Sequence, residues 1–352
     1  MKRNILLRTN FLVCFVIVLG FFFSALMGYR ASQGVFRKDV EQVTDLTSDG
    51  IYHQIDSVFV KPIHISLTMA NDTLLRELLA GESANLDNGA YTLQIQNYLN
   101  AYQEKYGYES VFLASAETGR YYHYNGLDRI LTPDEPEDQW FFGNTDRTED
   151  YFIVLDNDQV DQADNAVTVF INAFLRDRDG RLLGMVGVGL RVEHMQALFR
   201  SYEDAYDLRV YLVSGGGTLE LSTDRTGYEG TDFFQDRSYP ELRSDILDAR
   251  ERRSFWHGSD QGSCYLVTEF VPNLNWFLIV EKDTTAIEKE LTGQLLQEGA
   301  VILVVIALVL AVTTSVIRSY DRQLLRMAAS QEDSHRSMFQ KATEQLYENI
   351  YE

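Results

Sequence analysis

Two long apolar segments constrain this chain of 352 residues more than any other feature. Residues 11–29 and residues 300–317 contain no charged side chain. A helix needs about 20 mostly apolar residues to cross the ~30 Å hydrocarbon core of a bilayer, and each segment is just long enough. A core helix of a soluble protein would carry a polar face, which both segments lack. The sequence therefore predicts two transmembrane helices.

A cleaved signal peptide is the main alternative for the first segment. Its apolar stretch is longer than the ~7–15 residues usual in a signal peptide. The residues that follow, Met27 to Arg30, also make a poor cleavage site, because such sites need small side chains. We therefore expect an anchor that stays in the mature protein.

Basic residues flank the two apolar segments on their outer sides. They are Lys2, Arg3 and Arg8 before the first segment, and Arg318, Arg322 and Arg326 after the second. Positive residues near the ends of spans are retained in the cytoplasm, so both termini are expected inside. The predicted order is a cytoplasmic tail, a span, an extracytoplasmic domain, a span and a cytoplasmic helix, at residues 1–10, 11–29, 30–299, 300–317 and 318–352. This is the layout of a multi-pass protein of the cell (plasma or inner) membrane.

The segment between the spans is strongly acidic. Residues 31–297 carry 22 Lys and Arg against 45 Asp and Glu. This charge disfavours nucleic acid as a partner. The two cysteines, Cys14 and Cys264, fall in the first span and the external domain and cannot pair. None of the six histidines lies at zinc-ligand spacing from another, so we expect no disulfide, metal or cofactor.

The spacing of apolar residues predicts an α+β fold for the external segment. Residues 31–60 repeat apolar side chains every three to five positions, which indicates a long helix that bends or restarts near Lys61 and Pro62. Further helices are predicted at residues 65–79, 91–106, 192–202 and 239–249. Alternating aromatic and β-branched residues predict strands at residues 108–114, 120–124, 150–155, 166–175, 182–190, 209–213, 219–222, 263–270 and 276–280. The long helix thus precedes two mixed modules, at about 65–195 and 196–290.

Two short stretches carry a family resemblance. Residues 178–190, RDGRLLGMVGVGL, are similar to the glycine-rich strand pair that closes the distal module of double Cache (dCache) sensor domains. Residues 138–142, DQWFF, resemble the aromatic pair at the edge of that family's pocket. With the order of spans, helix and modules, the resemblance covers about residues 31–287. It implies two PAS-like modules outside a bacterial receptor of the kind that carries diguanylate cyclases, histidine kinases or chemoreceptor outputs.

The resemblance also implies a small-molecule pocket in the membrane-distal module. Trp140, Phe141 and Phe142 follow an acidic loop and could wall such a pocket, with core packing as the alternative. Asp156 is a further candidate. Asn172 on an apolar strand would bind either a ligand or buried main chain.

A strand with four consecutive ring side chains adds two more candidates. Alternate residues face opposite sides of a sheet, so Tyr122 and Tyr124 share one face while Tyr121 and His123 share the other. The sequence alone does not decide which pair faces the pocket, and His123 is expected to be half-exposed. The candidate ligand-binding residues are Tyr122, Tyr124, Trp140, Phe141, Phe142, Asp156 and Asn172.

Two departures from the family argue against a plain amino-acid sensor. Amino-acid-binding members carry an aspartate at the end of the glycine-rich strand, and Gly189 stands at that position here. They also carry an arginine shortly before the aromatic pair, whereas here acidic residues stand there and Arg129 is the nearest upstream arginine. The ligand class stays open, and Asp150, Asp156 and Asp158 leave room for a cationic ligand or an ion.

The sequence favours signalling over catalysis. It contains no Gly-x-Ser-x-Gly elbow, His-Glu-x-x-His pair or phosphate-binding loop, so we do not expect an enzyme. The segment at 318–352 is too short for a kinase or cyclase domain. A heptad stripe of Phe339, Ala342, Leu346 and Ile350 predicts a short parallel coiled coil and a homodimer, with a frayed helix as the alternative. The final residues resemble the helix that leads into a PAS-like or diguanylate cyclase module, so an output domain is expected elsewhere, lost or truncated.

These features together predict the input module of a transmembrane sensory receptor. A small extracellular ligand would bind in the distal module, and the second span would carry the signal to a diguanylate cyclase or histidine kinase outside this chain. The main alternative is a membrane-anchored solute-binding or scaffold protein without signalling output. An external hydrolase is the least supported.

Overall fold

The computed structural model describes residues 2–160, 166–259 and 262–351. The chain forms two compact units, one made of Met1–Lys38 with Ala286–Glu352 and the other of Asp39–Thr285. The helices are α1 (Lys2–Ala70), α2 (Thr73–Ala80), α3 (Gly89–Tyr106), α4 (Gln139–Phe142), α5 (Val192–Tyr206), α6 (Phe233–Asp236), α7 (Arg243–Leu247) and α8 (Thr285–Tyr351). The strands are β1 (Ser110–Ser115), β2 (Arg120–His123), β3 (Gly126–Ile130), β4 (Tyr151–Asn157), β5 (Val167–Arg176), β6 (Leu182–Arg191), β7 (Arg209–Ser214), β8 (Leu219–Leu221), β9 (Arg253–Ser259), β10 (Gly262–Val271) and β11 (Trp276–Asp283).

Two of these helices are long and apolar enough to cross a membrane. They are α1, over Phe15–Ala70, and α8, over Thr285–Thr343, and none of their most apolar windows is buried within the protein. Phe22 is 60% exposed and Leu303 is 68% exposed. Such a continuous apolar surface is unfavourable in water and favourable in lipid, so it supports the two spans expected from the sequence.

Helix α1 continues through Pro62 as one helix, so the predicted restart at that residue is wrong. A proline inside a helix removes one main-chain hydrogen bond and costs about 3 kcal/mol. The buried face of α1 offsets this cost, because Ile55, Phe59 and Ile63 are each no more than 4% exposed. Packing that a single sequence does not reveal therefore overrides the local penalty.

Helix α1 ends at Ala70, eight residues after Pro62. The Asp72 side chain accepts a hydrogen bond from the Leu74 main-chain N–H at 2.8 Å and so caps the start of α2. The helix predicted at residues 65–79 is therefore two pieces, since its first part belongs to α1. By contrast, α3 ends at Gly107, which has φ 71°, as the sequence predicts.

The Asp39–Thr285 unit contains two antiparallel sheets. The first has the strand order β3-β2-β1-β6-β5-β4, and the second has the order β8-β7-β11-β10-β9. The sequence predictions missed both β3 and β9, which are edge strands. Strand β3, with the sequence GLDRI, is largely exposed and too polar for the alternation to be recognised. The turns predicted around Gly119 and Gly180 are confirmed, with φ values of 70° and 84°.

The two faces of each sheet pack against different partners. In β5, Ile171 and Ala173 join the largest core cluster, which also contains side chains of α1, α2, α3 and α5. Their neighbour Phe170 points to the opposite face and joins a smaller cluster. In the second sheet, Leu278 joins the largest cluster, whereas Phe277 joins a third one. One layer of helices therefore covers one face of both sheets.

A buried carboxylate ties the helical layer to the first sheet. Glu82, in the single turn Glu82–Ala84, is 1% exposed. It accepts hydrogen bonds from the hydroxyls of Ser115 at 2.5 Å, Thr118 at 2.8 Å and Tyr122 at 2.6 Å. Burial and the bond to Glu82 raise the pKa of Tyr122 to about 12. Three donors satisfy a charge that would otherwise be unfavourable in the interior.

We predict that Gly187→Ala destabilises the protein by about 2 kcal/mol or more. Strand β6 pairs with β5 and β1, and a Cβ at residue 187 would lie 1.8 Å from the Ile171 carbonyl oxygen and 3.0 Å from the Phe112 ring. Gly89→Ala is the matched control, because Gly89 has no neighbouring atom within 4 Å of such a Cβ. The melting temperature of the purified full chain measures the effect. Equal melting temperatures for both variants would contradict the tight packing of β6.

We also predict that His123 makes the fold sensitive to acid. His123 is 3% exposed rather than half-exposed as expected, and neither ring nitrogen has a hydrogen-bond partner among the described residues. Burial lowers its pKa to about 4, whereas an unfolded chain has a histidine pKa of about 6.5. Acidification therefore protonates the unfolded state first. Between pH 7 and pH 5 this should remove about 2 kcal/mol of the free energy of unfolding.

The variant His123→Leu isolates this contribution. Denaturant unfolding of both proteins at pH 7 and pH 5 should give a smaller acid-induced loss for the variant. The same loss in both proteins would mean that His123 is not the group responsible.

Candidate functional site

A cavity opens on the face of the first sheet that lies opposite the helical layer. Together with its mouth and the open space in front of it, the cavity encloses about 390 Å³. The cavity is mixed in chemistry, with aromatic walls and a few charged or amide groups. Such a mixed lining is typical of small-molecule sites.

Four aromatic side chains wall the cavity. Phe112 of β1 is the central ring, and its centroid lies 5.7 Å from that of Tyr121, 5.9 Å from that of Trp140 and 5.8 Å from that of Phe170. The contacts with Trp140 and Phe170 are edge-to-face. Such packing fixes the ring orientations, so the walls are largely preformed.

Two aspartates lie at the end of β4, beside these walls. Asp156 shares the cavity face with Phe152 and Val154, as the alternation of β4 requires. Asp158 follows the strand, is 3% exposed and accepts a hydrogen bond from the Val160 main-chain N–H at 3.4 Å. Burial raises the pKa of both carboxyl groups above the usual aspartate range. Their negative charge is therefore incompletely compensated by the protein.

One arginine lines the cavity, and it is already engaged by acidic neighbours. The Arg129 guanidinium lies 3.6 Å from the carboxylate of Asp128 and 3.6 Å from that of Asp138. It also lies over the Tyr121 ring, 5.1 Å from the centroid. Asp138 is 5% exposed and accepts a hydrogen bond from the Thr132 main-chain N–H at 2.8 Å, which fixes its position. These acidic neighbours therefore weaken the positive potential of Arg129 inside the cavity.

An amide oxygen in the cavity lacks a partner. Asn172 is 1% exposed, and its Nδ2 donates to the Phe170 carbonyl oxygen at 3.4 Å. Its Oδ1 has no hydrogen-bond partner among the described residues. A buried acceptor without a donor is unfavourable by about 1–3 kcal/mol, and a donor on a bound molecule would relieve this.

The structure brings three of the seven candidate residues to the cavity. Trp140, Asp156 and Asn172 line it. Phe141 and Phe142 pack in the hydrophobic cluster beside it and are not among its lining residues.

Tyr122 and Tyr124 lie on the opposite face, within the core of the helical layer. The sequence left open whether Tyr122 and Tyr124 or Tyr121 and His123 face the pocket. Tyr121 lines the cavity, whereas His123 is not among its lining residues. Tyr122 instead contributes to packing through its bond to Glu82. The alternation of side chains along the strand correctly predicted which residues share a face. It did not show which face points toward the cavity.

Sequence reasoning missed Phe112, Phe170 and Arg129 as lining residues. Phe170 was recoverable, because it lies two positions from Asn172 on the same strand and must share its face. Arg129 was not, because its strand β3 had not been recognised. Asp150, named with Asp156 and Asp158 as a possible cation partner, is exposed and does not line this cavity.

The resemblance places the family's ammonium-binding aspartate at Gly189, and the space beside this residue is filled by other side chains. A Cβ at Gly189 would lie 2.7 Å from the Thr168 Cγ2 atom and 2.8 Å from the Ser110 Cβ atom. An aspartate therefore fits there only if Thr168 and Ser110 shift. The carboxylates of the cavity stand two strands away, on β4. Within the described residues, no three His, Cys, Asp or Glu side chains are grouped so that they could hold a metal ion.

Solved structures of sensor domains resemble this chain in fold. The extracellular domain of mmHK1S-Z3, described as a histidine kinase, matches with a TM-score of 0.51 and 12% identity, over 72% of this chain and 96% of that one. The corresponding domain of mmHK1S-Z2 matches with a TM-score of 0.50 and 12% identity, over 73% and 98%. The ligand-binding domain of the Campylobacter jejuni chemoreceptor Tlp3, in complex with 4-methylisoleucine, gives a TM-score of 0.46 and 12% identity, over 72% and 92%.

No protein-family model matches the sequence. At 12% identity the structural likeness establishes the fold and leaves the ligand open. The chain thus contains the fold of an extracellular sensor domain of the double Cache type, which confirms the resemblance seen in its sequence.

Proposed function

We propose that this chain is the sensory input unit of a membrane receptor, which binds a small molecule in the cavity of the first sheet. The observation that carries this proposal is the preformed cavity itself, with an unpartnered Asn172 oxygen and two poorly compensated aspartates. These groups are unfavourable in an empty protein and become favourable when a complementary molecule binds. The fold, which sensor domains share, agrees with such a role.

A hydrogen-bonded connection supports signal transmission from the cavity. Strand β4 carries Asp156 at one end and Tyr151 at the other, and the Tyr151 hydroxyl donates to the Asn273 carbonyl oxygen at 2.9 Å. The Asn273 side chain in turn donates to the Asp56 carboxylate of α1 at 2.7 Å. Asn273 lies in the turn before β11, and β11 ends at Asp283, directly before α8. A shift of β4 on ligand binding can thus reach both long helices.

The proposed receptor is a multi-pass protein of the cell membrane with Asp39–Thr285 outside. Helix α8 continues from the sensor domain through the apolar segment at 300–317 to the stripe at Phe339, Ala342, Leu346 and Ile350. Two copies pairing along this stripe would make a homodimer that carries the change inward. The output would be a histidine kinase or a diguanylate cyclase outside this chain, and the sensor unit itself would not be catalytic.

An anchored solute-binding protein without signalling remains the second candidate. It would use the same cavity, but it would need no connection between β4 and the turn at Asn273. The bond from Tyr151 to that turn therefore favours the receptor.

The first test is a search for ligands with the purified full chain. A metabolite that binds the cavity at 100 times its dissociation constant should stabilise the protein by about 2.7 kcal/mol, seen as a higher melting temperature. Trp140→Ala should abolish this increase, whereas Tyr124→Phe, on the opposite face, should preserve it. An increase that survives Trp140→Ala would place the binding elsewhere, and no increase from any metabolite would refute the proposal.

A second test concerns transmission. Tyr151→Phe should leave ligand affinity within about threefold of the parent protein, because the hydroxyl lies outside the cavity. It should reduce the ligand-induced change in hydrogen exchange across β11 and the start of α8, since the link to Asn273 is lost. The control is Tyr265→Phe. It removes the hydroxyl of a tyrosine in the second sheet, which donates to the Asp45 carboxylate of α1. An unchanged exchange response in Tyr151→Phe would favour the solute-binding alternative.

A further inference from the structure

We propose that the cavity binds a small organic monocation, an alkylammonium compound that carries no carboxylate. This inference rests on the proposed function and specifies the ligand class of the same cavity. It follows from the charges, the aromatic faces and the unpartnered acceptor that line the cavity, which are considered in turn below.

The charge of the lining residues is the first argument. Asp156 and Asp158 are acidic, and Arg129 is the basic residue among the described side chains that line the cavity. Asp128 and Asp138 lie at 3.6 Å from Arg129 and offset its charge, so the net potential inside the cavity is negative. A zwitterion brings no net charge to such a site, whereas a monocation neutralises one carboxylate. The balance therefore favours a ligand with one positive charge.

The aromatic walls are the second argument. The negative face of an aromatic ring attracts a cation within about 6 Å of the ring centroid, with tryptophan the strongest. Trp140, Tyr121, Phe112 and Phe170 surround the same space as the two aspartates. Phe112 and Arg129 already lie over the Tyr121 ring, so Trp140 is the ring best suited to contact an ammonium group beside the carboxylates, whether that group carries hydrogens or methyl groups.

Asn172 is the third argument, and it concerns the rest of the ligand. Its Oδ1 atom is a buried acceptor in the cavity without a donor among the described residues. A hydroxyl or ammonium hydrogen satisfies this atom, whereas a carboxylate oxygen placed there would be repelled. The ligand therefore presents donors, as an amino alcohol does.

An α-amino acid lacks its expected partners in this cavity. Thr168 and Ser110 occupy the space that an aspartate at residue 189 would need. The guanidinium of Arg129, which could receive the ligand carboxylate, is held between two acidic side chains and over the Tyr121 ring. A carboxylate approaching Arg129 would also approach the carboxylate of Asp138, and the two negative charges would repel each other.

Two matched pairs of compounds test this ligand class. Ethanolamine and glycine differ mainly in a hydroxymethyl group in place of a carboxylate, and choline and glycine betaine differ in the same way. Isothermal titration of the full chain in detergent should give at least tenfold tighter binding for the amine of at least one pair. A stronger response to glycine or glycine betaine overturns the monocation inference while leaving small-molecule sensing intact. If none of the four binds but another metabolite gives an increase in melting temperature that needs Trp140, the inference fails and the proposed function stands.

Substitution of the aspartates locates the effect. Asp156→Asn and Asp158→Asn should each weaken amine binding at least tenfold, and the exposed Asp150→Asn is the matched control that should not. The same two variants should match or exceed the melting temperature of the parent protein without ligand, because they remove a buried, poorly compensated charge. A purely structural role would instead lower the melting temperature. Unchanged amine affinity in both variants would overturn the inference.

The pH dependence of binding provides an independent readout. Burial raises the pKa of both carboxyls, so they gain protons as the pH falls from neutrality toward about 4. Amine affinity should decline over this interval and should decline less in Asp156→Asn. Affinity that rises on acidification would contradict the inference.

Discussion

The first sheet depends on one geometric constraint, which is that consecutive residues of a strand point to opposite faces. Helices α1, α2, α3 and α5 cover one face and form the largest core. The other face cannot use the same helices and is closed instead by a short helix, loops and aromatic rings. That thinner cover leaves room for a cavity. The period of two therefore separates a face that stabilises the fold from a face that is free to bind.

The polar groups on the cavity side of the first sheet are unfavourable for the stability of the protein. Glu82, on the helical side, is buried with three hydroxyl donors and is fully satisfied. On the cavity side, Asp156 is half-buried and Asp158 is buried, and burial raises the pKa of both, while the buried Asn172 Oδ1 has no partner among the described residues. Natural proteins retain such unfavourable groups mainly where they have a function. The contrast between the two faces of one sheet is the strongest structural indication of a binding role.

The sequence specified the α+β architecture better than it specified the cavity. Apolar runs, the alternation in β5 and β6 and the turn glycines all act locally, so the spans, most strands and the turn at Gly180 could be predicted. The continuation of α1 through Pro62 depends on tertiary packing, and the edge strand β3 has little local pattern. The cavity required knowing which face of β2 points outward. That choice placed Tyr121 in the site and Tyr122 in the core.

Gly189 also limits how this domain could change its specificity. The resemblance places at this residue the aspartate of family members that bind amino acids, so restoring it would formally need one substitution. Here Thr168 and Ser110 fill the space on either side, so a longer side chain at residue 189 collides with neighbouring strands. An aspartate would become tolerable only after both neighbours were reduced in size. Conversion between the two kinds of site therefore passes through less stable intermediates, which is an evolutionary barrier built from two small side chains.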